Sequence, residues 1–324
     1  MPYNNGSYHF IKKGETMILT ITANPSVDMS YRIDKLNIDG VTRTDNVIKH
    51  AGGKGIHVGY VLNDLGDEVV HSGFAGGKLG EFIEENLEER GQKAKFIKIK
   101  EPTRNCLAIL HEGKQTEILE AGPSISQAER DEFINKLDEI SAGCSVISMS
   151  GSLPKGLDSS FYEEIIAYGK SHNKFVAVDT SGKTLKDVVN AKIKPDLIKP
   201  NETEVADLLG EEITKDNIKE ALGKAPLKDI EYVIVSLGKD GAVVKAKDKV
   251  FKASVPEVKA INPVGSGDSS LAGAIYAISK DKTAEEVIKT SMTCGLLNVL
   301  TEEIAHIEIE KFDKYYEKIL VEEI

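Results

Sequence analysis

The stretch CSVISMSGSLPKGLDSSFYEEIIAYGKSHNKFVAVDTSG, Cys144 to Gly182, sets the pattern for the rest of the chain. It opens with an apolar run of strand length that breaks into a glycine loop. FYEEIIAYGKSHN then carries apolar residues at helical spacing. KFVAVDTSG is a second apolar strand that also ends in a glycine turn. A strand, a helix and a strand in so short a span imply two parallel strands joined by a crossover.

The same rhythm extends in both directions. Upstream, MILTITANPSVD is a strand broken at Asn24-Pro25, and HVGYVLNDLG is a helix stopped by Gly66. EVVHSGFAGG is a strand, and KLGEFIEENLEERG is a helix ended by Gly91. Downstream, LIKPNETEVADLLG is a strand end, a turn and a helix. YVIVSLGKDGAVVKAKDKVFKA is a core strand plus a hairpin, and SSLAGAIYAISK and AEEVIKTSMTCGLLNVL are helices. The expected class is α/β, with a mostly parallel central sheet wrapped by helices on both faces. Two strand pairs, about 27–50 and 104–121, do not fit the alternation and predict a separate small sheet. No internal repeat or long linker interrupts residues 17–324. MPYNNGSYHFIKKGET, residues 1–16, is polar and is expected to lie outside the fold as a leader or tag.

Composition narrows the function. The chain has 324 residues, 40% of them hydrophobic, enough for a sizeable core. Its 41 basic and 52 acidic residues give a net charge of −11, which argues against nucleic acid as a partner. No apolar run approaches the length of a membrane span. Cys106, Cys144 and Cys294 show no metal-ligand spacing and are read as reduced thiols of a cytoplasmic protein.

Ligands of open α/β sheets collect at the carboxyl ends of the strands. Several strands here end in glycine loops: GGKG, SGS, SLGKDG and VGSGD. In AINPVGSGDSSLAGAIYA (Ala260 to Ala277) a loop runs into a helix of small residues. The backbone N–H groups of Gly265, Ser266 and Gly267 would then form an anion site at a helix N-terminus. Asp268 reads alone as a helix cap. Beside an anion site it also reads as a base that takes a hydroxyl proton during phosphoryl transfer. The Walker A and first-strand dinucleotide fingerprints are absent, as is the GxSxG elbow.

NPSVD, AGGKGIHV, TRNC, SGSLPKG, KPNETE, VSLGKDGA and NPVGSGD occur in that order. Together they resemble the PfkB sugar kinases of the ribokinase superfamily. The likeness runs from Met17 to the C-terminus and is nearest to the branch of tagatose-6-phosphate kinases and 1-phosphofructokinases. It implies a ribokinase-like α/β core, a β-sheet lid, a homodimer formed through the lids, and use of ATP and Mg²⁺, with K⁺ a further candidate cation. The implied reaction converts tagatose 6-phosphate to tagatose 1,6-bisphosphate. The alternatives are fructose 1-phosphate or fructose 6-phosphate as substrate, and a catalytically dead sugar-phosphate sensor.

The resemblance also distributes roles. Asp28, Gly52, Gly53, Lys54, His57, Arg104 and Ser152 fall in the sugar-phosphate pocket, with Lys54 and Arg104 as cations for the existing phosphate. Read alone, GGKG is a tight turn with a solvated lysine, and Arg104 a surface residue. His57 departs from the family, which usually has asparagine there; histidine can donate, accept and titrate. Lys199, Asn201, Ser236, Leu237, Gly238, Lys239, Asp240, Gly241, Gly267 and Asn298 fall on the nucleotide side. Asn201 and Glu204 would organise Mg²⁺ through water. By pattern alone they are a capped helix start, and both roles can coexist.

Overall fold

The computed structural model describes residues 17–324, so the expected leader at 1–16 lies outside the described residues. The chain begins with β1 (Met17–Thr22), β2 (Ser26–Arg32) and β3 (Val47–Gly52). It continues through α1 (Lys54–Asp64), β4 (Glu68–Ala75) and α2 (Gly77–Glu89). The short β5 (Lys93–Ala94) and β6 (Ile97–Lys98) lead to the hairpin of β7 (Arg104–His111) and β8 (Lys114–Leu119). Next come α3 (Gln127–Asn135), α4 (Leu137–Ile140), β9 (Cys144–Ser150), α5 (Ser159–Ser171) and β10 (Phe175–Asp179). Then follow α6 (Gly182–Asn190), β11 (Leu197–Ile198), α7 (Glu202–Leu209), α8 (Ile218–Leu222), β12 (Tyr232–Ser236), β13 (Ala242–Ala246) and β14 (Lys249–Ser254). The last elements are α9 (Ser266–Ser279), α10 (Ala284–Val299), α11 (Phe312–Tyr316) and β15 (Leu320–Glu323).

The large sheet runs β15-β14-β13-β12-β11-β10-β9-β1-β4-β5, with β6 also paired to β4. It is parallel from β12 to β4 and antiparallel across β13, β14 and β15. Side chains of β1 alternate between two cores. Ile18 faces one with Ile56, Ile275 and Ile288, and Leu19 and Ile21 face the other with Phe133, Phe161 and Val188. Phe74, Phe133 and Phe161 meet at centroid separations of 5.1–5.6 Å, a cluster in which each ring contributes about 2–3 kcal/mol by burial. The strand order turns at β1, which lies between β4 and β9, so the crevice of the sheet opens at its carboxyl end.

The strands left outside the alternation form the second sheet, β3-β2-β7-β8. Asp28 of β2 pairs with His50 on one side and Cys106 on the other. The edge strand β15 gave no sequence signal, because its alternation covers only four residues at the chain end.

His71 of β4 is fully buried and neutral. Its Nε2–H donates to Gln92 Oε1, and its Nδ1 accepts from the Thr20 hydroxyl at 2.9 Å. Burial pushes its pKa down to about 4, against 6.5 in the unfolded chain. Below pH 6.5 the unfolded chain takes up a proton that the fold refuses. Stability is therefore expected to fall as pH drops from 6.5 to about 4, by about 3 kcal/mol from this group. Denaturant unfolding of the wild type and His71→Gln across that range checks it. The variant should show the shallower acid slope, and equal slopes would refute the assignment.

Candidate active site

The loops that follow β11 and β12 meet the first turn of α9. Gly265, the residue before that turn, sits at φ 82°, a conformation open to glycine and strained for other residues. Ser269 N–H closes the turn on Gly265 O at 2.8 Å. Ser266 N–H leans on Pro263 O at 3.3 Å, while the amides of Gly267 and Asp268 lie in the first turn, where no intrahelical acceptor exists. Asp268 is the third residue of the helix rather than its cap, and it makes no capping bond.

Helix α1 packs beside α9 and carries His57 to Asp268. His57 Nδ1 lies 3.1 Å from Asp268 Oδ2, and its Nε2 lies 3.5 Å from Asp28 Oδ2. Burial alone would lower the pKa of His57. Hydrogen bonding to Asp268 and Asp28, together with their charges, outweighs burial and lifts it to about 9. At neutral pH an imidazolium therefore bridges two carboxylates. Burial raises Asp28, but the His57 hydrogen bond and charge and the Ser26 hydroxyl at 2.6 Å hold it below the usual carboxylate range. His50 is pushed by burial down to about 4, with Asp28 opposing.

Gly52 closes β3 against Asp28. A Cβ there would lie 2.1–2.3 Å from the atoms of the Asp28 carboxyl group, so glycine leaves the room the carboxylate occupies. Gly53 precedes α1, and Lys54 opens it and reaches Asp179 Oδ2 at 3.3 Å. Desolvation pulls Lys54 down, but Asp179 and Asp268 outweigh it and raise its pKa. Ser152 is exposed on the loop after β9.

Arg104 opens β7. Its guanidinium donates to Glu120 O at 2.9 Å and Asn24 O at 3.0 Å, leaving Nε buried without a partner. As it stands, it clamps the β1–β2 turn to the start of β7.

On the other side of Asp268 lies a cleft of about 660 Å³. Ser266, Gly267 and Lys199 line its polar end, and Val255, Val258, Met292, Leu296 and Val299 its apolar wall. Ser236, Gly238, Lys239, Asp240 and Gly241 form its rim, while Leu237 is buried beneath. Lys199 Nζ lies 3.2 Å from where a Cβ on Gly267 would stand, which sets an ammonium against the helix start. Asp240 is drawn outward by Lys215 at 2.8 Å.

Asn298 lies beneath the glycine loop. It is fully buried, donates to Val264 O at 2.8 Å and accepts from Ala305 N–H at 2.8 Å. Its amide holds the glycine loop from beneath. Asn201 and Glu204 form a reciprocal capping box, each side chain accepting the other's N–H at 2.9 Å. Asn201 lies beside Ser236 at the cleft rim, and the charge of Glu204 is felt by Lys54. Only one Glu204 oxygen is spent on the cap. The other is a hard oxygen donor of the kind that suits a water-wrapped Mg²⁺.

Sequence reasoning missed Asp179 and His50. Asp179 ends the apolar run FVAVD at a carboxyl end, which was a usable signal. His50 carried none, since its role depends on register with Asp28. A wider cleft of about 1060 Å³, lined by Arg32, Arg43 and Asn262 among others, opens between the small sheet and the 261–264 loop. Asp28, Lys54 and Asp268 line neither cleft, but Ser266 and Gly267 of the α9 start line the smaller one, which places it next to Asp268.

An α/β sheet whose carboxyl-end crevice joins an anion-binding helix start, a carboxylate and an apolar cleft is the frame of an ATP-dependent sugar kinase. Residues 18–309 match the model of the pfkB family carbohydrate kinases. The chain is 44% identical over 310 residues to the tagatose-6-phosphate kinase of Staphylococcus epidermidis, covering 95% of this chain and all of that one. Phosphofructokinase-2 of Escherichia coli shares the fold at 24% identity. Its complex with potassium superposes with a TM-score of 0.85, and its complex with fructose 6-phosphate with 0.84. Each comparison covers 95% of this chain and 99% of the other. The chain belongs to the pfkB carbohydrate kinase family, and its architecture is the expected ribokinase-like one.

Proposed function

We propose that this kinase acts on a sugar phosphate, transferring the γ-phosphoryl group of ATP to tagatose 6-phosphate to give tagatose 1,6-bisphosphate. The observation that carries the reading is the position of Asp268. It lies in a helix start whose neighbours line the nucleotide cleft, and through His57 it is joined to Asp28. The 44% identity to a tagatose-6-phosphate kinase supports the choice of sugar.

Asp28, Gly52, Gly53, Lys54 and Ser152 shape the sugar pocket. Lys54 faces the existing phosphate, and Arg104 serves it once turned from its two carbonyls. Asp268 Oδ2 is engaged by His57, so Oδ1 is the oxygen that takes the proton of the sugar's primary hydroxyl. The hydroxyl oxygen bonds the γ-phosphorus, the bond to the ADP oxygen breaks, and ADP leaves. The amides at Gly265 to Gly267 and the Lys199 ammonium hold the charge that spreads over the phosphoryl oxygens. Mg²⁺, when bound, supplies positive charge to the triphosphate, with Asn201 and Glu204 holding its water shell. K⁺ is a further candidate cation. The small sheet serves as a lid that excludes water. Its exposed Ile48 and Leu119, on one face of the sheet, give it an apolar surface for a second copy, forming a dimer through the lids. No helix among the described residues is long and apolar enough to cross a membrane, in keeping with a cytoplasmic enzyme.

The test is ADP release with Mg-ATP and, in parallel, tagatose 6-phosphate, fructose 1-phosphate and fructose 6-phosphate. The expected result is a kcat/KM for tagatose 6-phosphate that clearly exceeds the other two. Preference for fructose 1-phosphate would make the chain a 1-phosphofructokinase. Binding of a sugar phosphate without turnover would make it a sensor.

A further inference from the structure

We infer that Asp28, His50 and His57 form a binding site for a late first-row divalent ion, Zn²⁺ being the type case, inside the sugar pocket. The three residues come from β2, β3 and α1, and one ligand atom of each lies within 4.8 Å of the other two. Asp28 and His50 face each other directly across the β2–β3 ladder, and His57 Nε2 stands 3.5 Å from Asp28 Oδ2. Ligand atoms of a tetrahedral zinc site lie roughly 3.3 Å apart, given bonds of about 2.0–2.1 Å. The set closes with side-chain shifts of at most about 1.5 Å, which the half-buried His50 leaves room for.

Two further observations point to a ligand. His50 Nε2 and His57 Nε2 are both buried without a well-formed hydrogen bond, His57 is only 7% exposed, and an ion here takes the place of the proton that otherwise links His57 Nε2 to Asp28 at 3.5 Å. Buried ring nitrogens without a hydrogen bond are uncommon, and here both rings offer a nitrogen within reach of one carboxylate. In addition, His57 Nδ1 is held by Asp268 Oδ2 at 3.1 Å. A carboxylate on the far nitrogen of a ligating imidazole fixes the ring and makes the near nitrogen a better donor. Two imidazoles and one carboxylate select zinc, nickel or copper over Mg²⁺, which prefers an all-oxygen shell. The usual asparagine at position 57 would supply no such donor.

The binding claim stands on geometry alone. Its consequence rests on the proposed sugar pocket: the ion takes up Asp28 and so competes with the sugar phosphate but not with ATP. Metal-stripped, untagged chain is titrated with Zn²⁺ against a chromophoric chelator, without substrates. One ion per chain is expected, with affinity reduced at least about tenfold in His50→Gln and in His57→Asn, and unchanged in Cys106→Ser. A Co²⁺ spectrum of the wild type, free of a thiolate charge-transfer band, should confirm nitrogen and oxygen ligation even if a variant folds poorly. No stoichiometric binding, binding indifferent to both histidines, or a thiolate band would overturn the site. Where it stands, Zn²⁺ should raise the apparent KM for the sugar in the wild type, and His50→Gln should escape this. Binding without any turnover would retire the kinase reading and leave the metal site intact.

Discussion

Asp268→Asn is expected to lower kcat by about 10²–10⁴ while leaving ATP binding close to that of the wild type. The amide keeps the shape of the carboxylate and the hydrogen bond to His57, but it cannot accept the sugar's proton. The nucleotide side is untouched, because the amides of the α9 turn and Lys199 remain where they are. Losing a negative charge in the first turn of α9 removes about 0.3–1 kcal/mol of favourable dipole interaction and weakens the pairing with His57, which keeps Asp28 as its other carboxylate, so the domain is expected to stay folded. Nucleotide affinity by calorimetry and turnover by ADP release separate the two effects. A folded variant that binds ATP and keeps near-wild-type turnover would remove Asp268 from the role of base. Loss of both functions together would mean that the substitution had collapsed the helix start.

Much of the frame was legible beforehand because it rests on periodicity. The βαβ rhythm around Cys144 to Gly182 appears as β9, α5 and β10 in parallel register. The two strand pairs that broke the rhythm form the small sheet. The glycine loops line one edge because strand ends in a parallel sheet share a direction. What stayed hidden depends on contacts between distant segments. Nothing local in AGGKGIHV shows that His57 faces Asp268, 211 residues further on, or that Asp28 closes the other side. The TRNC motif points Arg104 to a phosphate but does not show that the carbonyls of Glu120 and Asn24 hold its guanidinium. The resemblance alone puts Asn298 on the nucleotide side, and no local signal shows that its buried amide holds the loop backbone at Val264. Side-chain type tells what a residue can do, but packing decides which of its atoms remain free to do it.

Gly52→Ala is expected to cut kcat/KM for the sugar by about two orders of magnitude with little change in nucleotide affinity. The backbone itself tolerates alanine, so the effect is one of space. The new methyl group would sit 2.1–2.3 Å from Asp28 Cγ, Oδ2 and Oδ1, well inside contact distance. Either Asp28 turns away or the β2–β3 ladder spreads. Asp28 cannot turn freely, since the Ser26 hydroxyl holds Oδ1 at 2.6 Å and His57 faces Oδ2. Alanine would contribute about 0.4–1 kcal/mol through the unfolded state, but the overpacking costs about 1–3 kcal/mol, so a modest net loss of stability accompanies the loss of function. The signature is its one-sidedness: sugar kcat/KM falls, while ATP affinity and the α9 turn are preserved. If a folded Gly52→Ala enzyme handled its sugar as the wild type does, Asp28 would not be a sugar ligand, and the need for glycine would reduce to fitting β3 against β2. If ATP binding fell in parallel, the two pockets would share a wall that the present geometry keeps apart.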